Sequence, residues 1–534
     1  MEISLEQEPA KGGWKSSIYI IGVEVAERFA FYGIAGNLIT YLTKVLHESI
    51  AKAAKNVNIW LGVSAILPLL GAFIADAYVG RFKIILFASL IYILGLVMLT
   101  LSVSVIPSRF RKTSFFLSLY LVAIGEGGHK PCVQTFGADQ FDEDKAEEKK
   151  AKSSFFNWWY FGICGGASSA MLLVYYVQDY VGWQAGFGIS AIAMGVALIL
   201  FLLGRKLYRQ EILRGSPLTR IVQVFIAASR KQHLVGVNDG NPNSCEEGED
   251  PMPRILPQTK EFKCLNKAAI VDEIDASSVT KNNWRLCSTT QVEEAKLVLR
   301  LVPIWLSCLM YAVVFAQVST FFTKQGSTMD RKITHDFHVP AASLQVVTGF
   351  VVMLIIPVYD RVIVPFIRKF TGFQSGIAML QRIGIGIFIS IIVMVVAALV
   401  ESRRVRVARD HGLLDQPNTT LPMRIWWLLP QYVIIGIADV FTIVGLQELF
   451  YSQMPDGMRS IGSAVYLSVL GVGSFLSSAI ISIVESASSR YGDEWLGNNL
   501  NKAHLDDYYW VLAGLSTLWL GLFVVLSKSY VYKS

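Results

Sequence analysis

The chain has 534 residues, 53% of them hydrophobic and only 17% charged, with a formal net charge of +7. A soluble globular domain carries about 25% charged residues, so these proportions, with a mean hydropathy of +0.45, point to a polytopic membrane protein. The apolar runs are about 20 residues long rather than ~10 alternating ones, which favours helices over a barrel. The positive balance reads as loop charge that sets topology, and no basic patch interleaved with aromatics lies in a soluble segment, which argues against a nucleic-acid partner.

Residues 1–16 are mostly polar and read as a cytoplasmic N-terminus without a signal-peptide layout. The first apolar run is too long for a signal h-region, so it is expected to stay as a membrane helix. Six spans follow at about 17–45, 57–79, 84–106, 114–137, 154–178 and 184–204, making an N-terminal six-helix bundle over 17–204. Residues 205–295 are polar and read as a cytoplasmic linker, partly disordered, with Asn238 to Pro253 rich in Asn, Asp, Glu, Gly and Pro. Its start, Gly204 to Arg209, is either a basic piece on the inner membrane surface or solvated linker. Six more spans, at about 296–323, 339–359, 374–400, 424–452, 460–484 and 506–530, form a C-terminal bundle over 296–530. Residues 531–534 are a cytoplasmic tail. The fold class is therefore an all-α membrane protein of about 12 transmembrane helices. Two six-helix halves around a long loop is the major facilitator arrangement, whose substrate and coupling sites lie at the midplane between the halves.

With the N-terminus inside, Lys11, Lys15, Arg81, Lys83, Lys149, Lys150, Lys152, Arg205, Lys206, Arg209, Lys528 and Lys533 all fall on the cytoplasmic side. Arg403, Arg404, Arg406 and Arg409 disagree. The same outer loop carries Asn418-Thr419-Thr420, a glycosylation candidate that agrees with this topology. The six cysteines form no C-x-x-C and read as free thiols.

Within the first span, Glu24, Glu27 and Arg28 are spaced i, i+3, i+4. At about 100° per residue they share one side of a helix. A charge at the bilayer centre costs a few kcal/mol at least, so that side faces a bundle interior or a watery cavity. At the end of span two, Gly71…Asp76…Gly80-Arg81 resembles the signature loop of major facilitators, which makes Asp76 and Arg81 a conformational latch. Span four carries Glu126-Gly127-Gly128-His129-Lys130-Pro131. Lys130 is a natural counter-ion for the first-span carboxylates. Glu126, one turn earlier, is an accessory titratable group that can claim it instead. Pro131 removes a backbone hydrogen bond and kinks the helix. In the second half, Gln317 and Asp439 are the mid-run polar groups, and Glu448 lies nearer the inner end. No metal-ligand spacing, nucleotide loop or Ser-His-Asp arrangement occurs, so neither an enzyme nor a cofactor other than the proton is expected.

Glu24-x-x-Glu27-Arg28-Phe29-x-Phe31-Tyr32-Gly33 resembles the first-helix signature of proton-coupled oligopeptide transporters. Gly127-Gly128-His129-Lys130-Pro131 is similar to their fourth-helix lysine motif, and Phe155-Phe156-Asn157-Trp158-Trp159-Tyr160-Phe161 to the start of their fifth helix. Trp284, Cys287, Gln291, Glu293, Glu294, Arg300, Pro303 and Trp305, with Gly445, Glu448, Phe450, Tyr451 and Pro455 to Ser460, resemble the plant nitrate and peptide transporter family. The matches run from about residue 20 to 525.

The resemblance implies an alternating-access proton symporter in which Glu24, Glu27, Arg28 and Lys130 are the proton-coupling cluster. Tyr32, Asn37, Tyr41, Phe315, Gln317 and Asp439 are then expected to line the substrate cavity. Asp439 falls where the family commonly has a glutamate that receives a substrate's positive end. Phe315 falls where some nitrate-transporting members have histidine, so a histidine-based nitrate site does not transfer. The expected partners are protons, the lipid bilayer and a small solute such as nitrate, a peptide, a hormone or another anionic or zwitterionic metabolite. The membrane is plasma or vacuolar. The alternative is a substrate sensor on the same fold without net transport.

Overall fold

The computed structural model describes residues 12–142, 145–209, 217–232, 259, 261–272, 282–334, 337–371, 377–417, 419–454, 459–490 and 494–530. The sequon residue Asn418 and the stretch Asn238 to Pro253 lie outside them. So does the side chain of Asp76.

In the first half, α1 spans Trp14–Ala35 and continues, after a break at Gly36 and Asn37, as the short helix Leu38–Lys44. Then come α2 (Ile50–Ile74), α3 (Arg81–Ser104), α4 (Ser108–Ala138), α5 (Ala146–Tyr180) and α6 (Trp183–Leu203). In the second half, α7 is a pair, Thr289–Ser307 and Leu309–Ser327, bent by 43°. It is followed by α8 (Gln345–Val358), α9 (Met379–Asp410), α10 (Leu429–Gln453), α11 (Arg459–Arg490) and α12 (Leu505–Ser529). Among the described residues, nine helices and the bent pair are long and apolar enough to cross a membrane. The other two, α1 and α4, are long enough but carry the charged and polar residues singled out above.

α1 packs between α5 and α6, and α4 lies against α2 and α3. In the second half α9 lies against α10 and α12, and α8 against α10. Between the halves, α2 meets α11 and α5 meets α8. Two close approaches require glycine. A Cβ on Gly71 would lie 2.1 Å from the Gly127 carbonyl oxygen, so α2 and α4 touch backbone to backbone. A Cβ on Gly62 would lie 2.7 Å from the Phe475 ring and 3.0 Å from the Gly471 carbonyl oxygen, where α2 crosses α11.

The end of the bundle where α1 begins and α12 ends is called proximal, and the opposite end distal. The distal end is sealed by contacts between the halves. Lys55 pairs with Glu485 at 2.7 Å and Arg331 with Asp179 at 3.3 Å. Lys324 Nζ donates to Thr43 Oγ1, Gln345 Nε2 to the Gly36 carbonyl and Tyr180 OH to the His338 carbonyl. Among the described residues, a short parallel pairing of β1 (Met329–Asp330) with β2 (Leu421–Arg424) and an isolated bridge between Lys332 and His338 interrupt an otherwise mostly helical fold.

The second half differs from its apolar pattern at two places. α7 begins at Thr289, ahead of the apolar run, because Ser288 and Gln291 form a capping box there. Its polar first turns are covered by linker. The helix Pro217–Arg230 and the turn Lys263–Ala269 bury Val224, Ala227, Leu265 and Ala268 against Cys287, Val292 and Ala295. α9 continues to Asp410, well past its apolar run, so the four arginines that disagreed with the topology lie on a helix. Arg404 is fully buried and Arg403 lies 4.2 Å over the Trp427 ring. Arg404 is held inside the protein, and Arg403 stays exposed on the helix with its guanidinium over Trp427.

Candidate functional site

The site is built where α1 and α4 face each other. Glu24, Glu27 and Arg28 come to one face of α1, as helical spacing dictates, and all three are buried. Arg28 reaches Glu27 at 2.5 Å and Glu24 at 3.2 Å. Its Nη2 lies 3.8 Å from Glu126 on α4, and Lys130 Nζ lies 3.3 Å from the same Glu126 oxygen. Tyr92 of α3 donates to Glu27 at 3.4 Å. The five ionisable groups thus form one continuous chain, Glu24–Arg28–Glu27 joined through Arg28 to Glu126–Lys130. Both cations also lie 5.6 Å from the centre of the Phe31 ring, which stacks on Trp60. Among the paired groups Lys130 is the most open, with a side chain 22% exposed.

This geometry decides which carboxylate Lys130 takes. Its ion-pair partner is Glu126, one turn back on its own helix, and the first-helix glutamates are held by Arg28. Satisfaction within the chain is incomplete. One oxygen each of Glu24 and Glu126, and both ring nitrogens of the fully buried His129, lack a hydrogen-bond partner among the described residues.

Tyr32 is half-buried, and its carbonyl accepts from Tyr175. Asn37 is buried and donates to Gln178 of α5. Tyr41 is fully buried among Phe115, Phe187 and Trp183. Phe115 precedes Glu126 by eleven residues, about 16 Å along a helix, so Tyr41 sits in distal packing away from the ion chain. In the second half Gln317 donates to Ser477 at 3.3 Å, and Asn58 of α2 donates to the same hydroxyl at 3.0 Å. Phe315 is half-buried on α7. Asp439 accepts from Tyr311 of α7. Glu448 pairs with Arg382 at 3.1 Å, and Arg81 pairs with Asp139 at the end of α4.

Sequence reasoning missed Tyr311, Tyr92 and the Asn58–Ser477 link. A lone tyrosine in an apolar run was the available signal for the first two. A serine in a helix usually bonds its own helix's carbonyls, so nothing marked Ser477. Among the described residues, one trio, His504, Asp506 and Asp507, brings metal-type ligand atoms within 4.8 Å of one another. It lies at the surface, where His504 already faces Asp507 at 3.7 Å.

Two helical halves that meet through α2 with α11 and α5 with α8 are the arrangement of the major facilitator class of membrane proteins. The family model "PTR2: POT family" matches residues 82–501. Two Arabidopsis thaliana proteins are similar along nearly their whole length. Protein NRT1/PTR FAMILY 5.4 is 51% identical over 539 residues, covering 99% of this chain and 97% of that one. Protein NRT1/PTR FAMILY 5.10 is 52% identical over 541 residues, covering 98% and 94%. Among solved structures, the POT family transporter PepTSo superposes with a TM-score of 0.73 at 22% identity, covering 97% of this chain and 98% of that one. An auto-inhibited POT family peptide transporter superposes with a TM-score of 0.72 at 22% identity and 97% coverage of both. The chain belongs to the POT family of membrane transporters and is a multi-pass integral membrane protein.

Proposed function

We propose that this protein is a proton-coupled symporter that moves a small anionic or zwitterionic solute by alternating access. The observation that carries the reading is the continuous buried ion chain from Glu24 to Lys130. Buried charges are costly unless paired, and close carboxylates titrate as a set. A proton taken by one of them loosens its hold on Arg28 or Lys130. The released cation then takes an anionic group of the solute, and Arg28 offers a planar fork suited to a carboxylate or nitrate. Proton first, anion second and closure third is the coupling order. Tyr32, Phe315 and Asp439, each partly exposed, line the path between the halves, and Gln317 is buried against Ser477; the proton is the coupling ion, with no other cofactor.

The chain termini lie in the cytoplasm of a plasma or vacuolar membrane in this reading. The distal seal therefore closes the outer or lumenal side. Acid-driven uptake of a solute panel (nitrate, di- and tripeptides, hormones, glycosylated metabolites) in pH-clamped oocytes tests the reading. Wild-type proton-dependent uptake in Glu27→Gln or Lys130→Ala sinks it.

A further inference from the structure

We propose that Glu126 is a tethered stand-in for the solute's anionic group: it occupies Lys130 in the empty protein and leaves it on taking a proton. The proposal rests on the symport reading above and adds a residue to it. Glu24, Glu27, Arg28 and Lys130 alone sum to zero when ionised. Glu126 adds a third carboxylate against two cations, so the fully ionised chain carries a net −1. One proton restores neutrality, and a bound monoanion brings the total back to −1. Exchanging Glu126's charge for the solute's thus leaves the interior charge unchanged, which matters where uncompensated charge is expensive.

Geometry selects Glu126 among the three carboxylates. Glu24 and Glu27 both lie against Arg28, at 3.2 and 2.5 Å. Of the three, Glu126 is the one paired with Lys130, at 3.3 Å, and it reaches Arg28 only at 3.8 Å; like Glu24, it keeps one oxygen buried without a hydrogen-bond partner among the described residues. The charged and titratable groups that act on it are Lys130 on its own helix, Arg28 and Glu27 from α1, and it acts in turn on Glu24 and Tyr32 of α1 and Tyr92 of α3. Lys130 is partly open, while Glu126 is fully buried. Once a proton has released Glu126, an incoming anion meets Lys130 ahead of the carboxyl, which turns inward, where its neutral form is the cheaper one to bury. The proton comes from the same side as the solute, bonds to the Glu126 carboxylate and is lost when the solute leaves and Lys130 is available again.

The test follows protonated-carboxyl infrared absorption of the purified full-length protein in nanodiscs as the solution is acidified, and then with nitrate added as the probe anion. The wild type should gain a carboxyl band that Glu126→Gln lacks and Glu27→Gln retains. Nitrate should increase that band near neutrality in the wild type and not in Lys130→Gln. Glu126→Asp, which keeps the carboxyl, should move the band in frequency and guards against a variant that fails to fold. A full band in Glu126→Gln, or a wild-type band that nitrate leaves unchanged, overturns the proposal. Either result leaves the symport reading standing, because that reading falls only with the Glu27→Gln and Lys130→Ala uptake assay.

Discussion

Two buried arginines with glutamates beside them behave as opposites. Arg404, near the distal end of α9, is fully saturated. It grips Glu401 with two bonds of 2.8 and 2.6 Å, donates to Asn501 at 2.8 Å and to the Leu500 carbonyl at 2.6 Å, and reaches Thr328 at 3.3 Å. Arg28 has more carboxylates near it but a poorer hydrogen-bond account, with partners at 2.5, 3.2 and 3.8 Å and orphaned oxygens on Glu24 and Glu126. A buried polar network that is complete rigidifies its surroundings, and one that is incomplete leaves free energy unrealised. Arg404 is built to stay as it is, tying α9 to the loop before α12. In the symport cycle proposed above, Arg28 is the one that changes partners.

Breaking the complete network should have the largest effect on the fold. Arg404→Met leaves Glu401 charged, buried and alone, a loss of about 3–5 kcal/mol. Thermal unfolding in detergent should show a much lower midpoint. Glu401→Met added to it should recover most of the loss, since neither charge is then orphaned. A small effect of Arg404→Met would end the contrast with Arg28.

The incomplete network should answer in coupling instead. Glu27→Gln keeps the shape of the side chain but removes its charge, so the variant should fold. Its acid-dependent gain in apparent solute affinity should disappear, a coupling of about 1–3 kcal/mol or 5–150-fold in systems of this kind. Uptake measured against external pH reads this directly. A variant that unfolds like Arg404→Met would place Glu27 with the structural pairs.

Between the two lies the distal pair Lys55–Glu485, with side chains 24% and 43% exposed. It joins α2 to α11 in the seal between the halves. Pairs this open are worth about 0.2–1 kcal/mol. Lys55→Glu should leave the unfolding midpoint nearly unmoved and raise the reactivity of a cysteine probe placed deeper between the halves. The double exchange, Lys55→Glu with Glu485→Lys, should restore protection. Unchanged reactivity in Lys55→Glu would remove this pair from the seal.

The contrast between the two arginines was half legible in the sequence. Glu24, Glu27 and Arg28 stood out because an apolar run cannot afford three charges without a purpose. Arg404 was read as a loop charge because run length reports where lipid ends, whereas α9 continues as a helix to Asp410 under cover of the loops around Asn501. The partner of Lys130 was also beyond the pattern. A carboxylate one turn away and one on a facing helix are equally compatible with spacing, and only the placement of α1 against α4 separates them. The membrane spans themselves were easy to find, since long apolar runs have few other uses. The Gln317–Ser477–Asn58 bridge left no mark, because a buried serine looks the same whichever way its hydroxyl turns.

The smallest effect expected is at the proximal end, where Glu148 ties several chain ends together. It accepts from the Asp142 backbone N–H at 2.8 Å and from Lys145 at 3.3 Å, and pairs with Arg209 at 3.0 Å. Arg209 in turn donates its backbone N–H to Gln140, whose carbonyl receives the N–H of Gly13 ahead of α1. Glu148 thus links the α4–α5 connection to the end of α6 and, through Gln140, to the start of α1. The Asp142 N–H, followed by Lys145 and Arg209, holds its carboxyl below the usual range. A carboxyl with a lowered folded pKa adds stability that is present above its unfolded pKa, about 4.3, and is lost as pH falls through the folded value. Near neutrality Glu148→Gln should therefore speed amide exchange in residues 140–142 and 205–209, by an amount toward the low end of about 0.2–1 kcal/mol. As the pH falls below the folded value the wild type should lose this advantage, and the two proteins should converge. Equal exchange in the two proteins near neutrality would mean that the bonds to Asp142 and Arg209 act through shape, which glutamine shares, and not through charge.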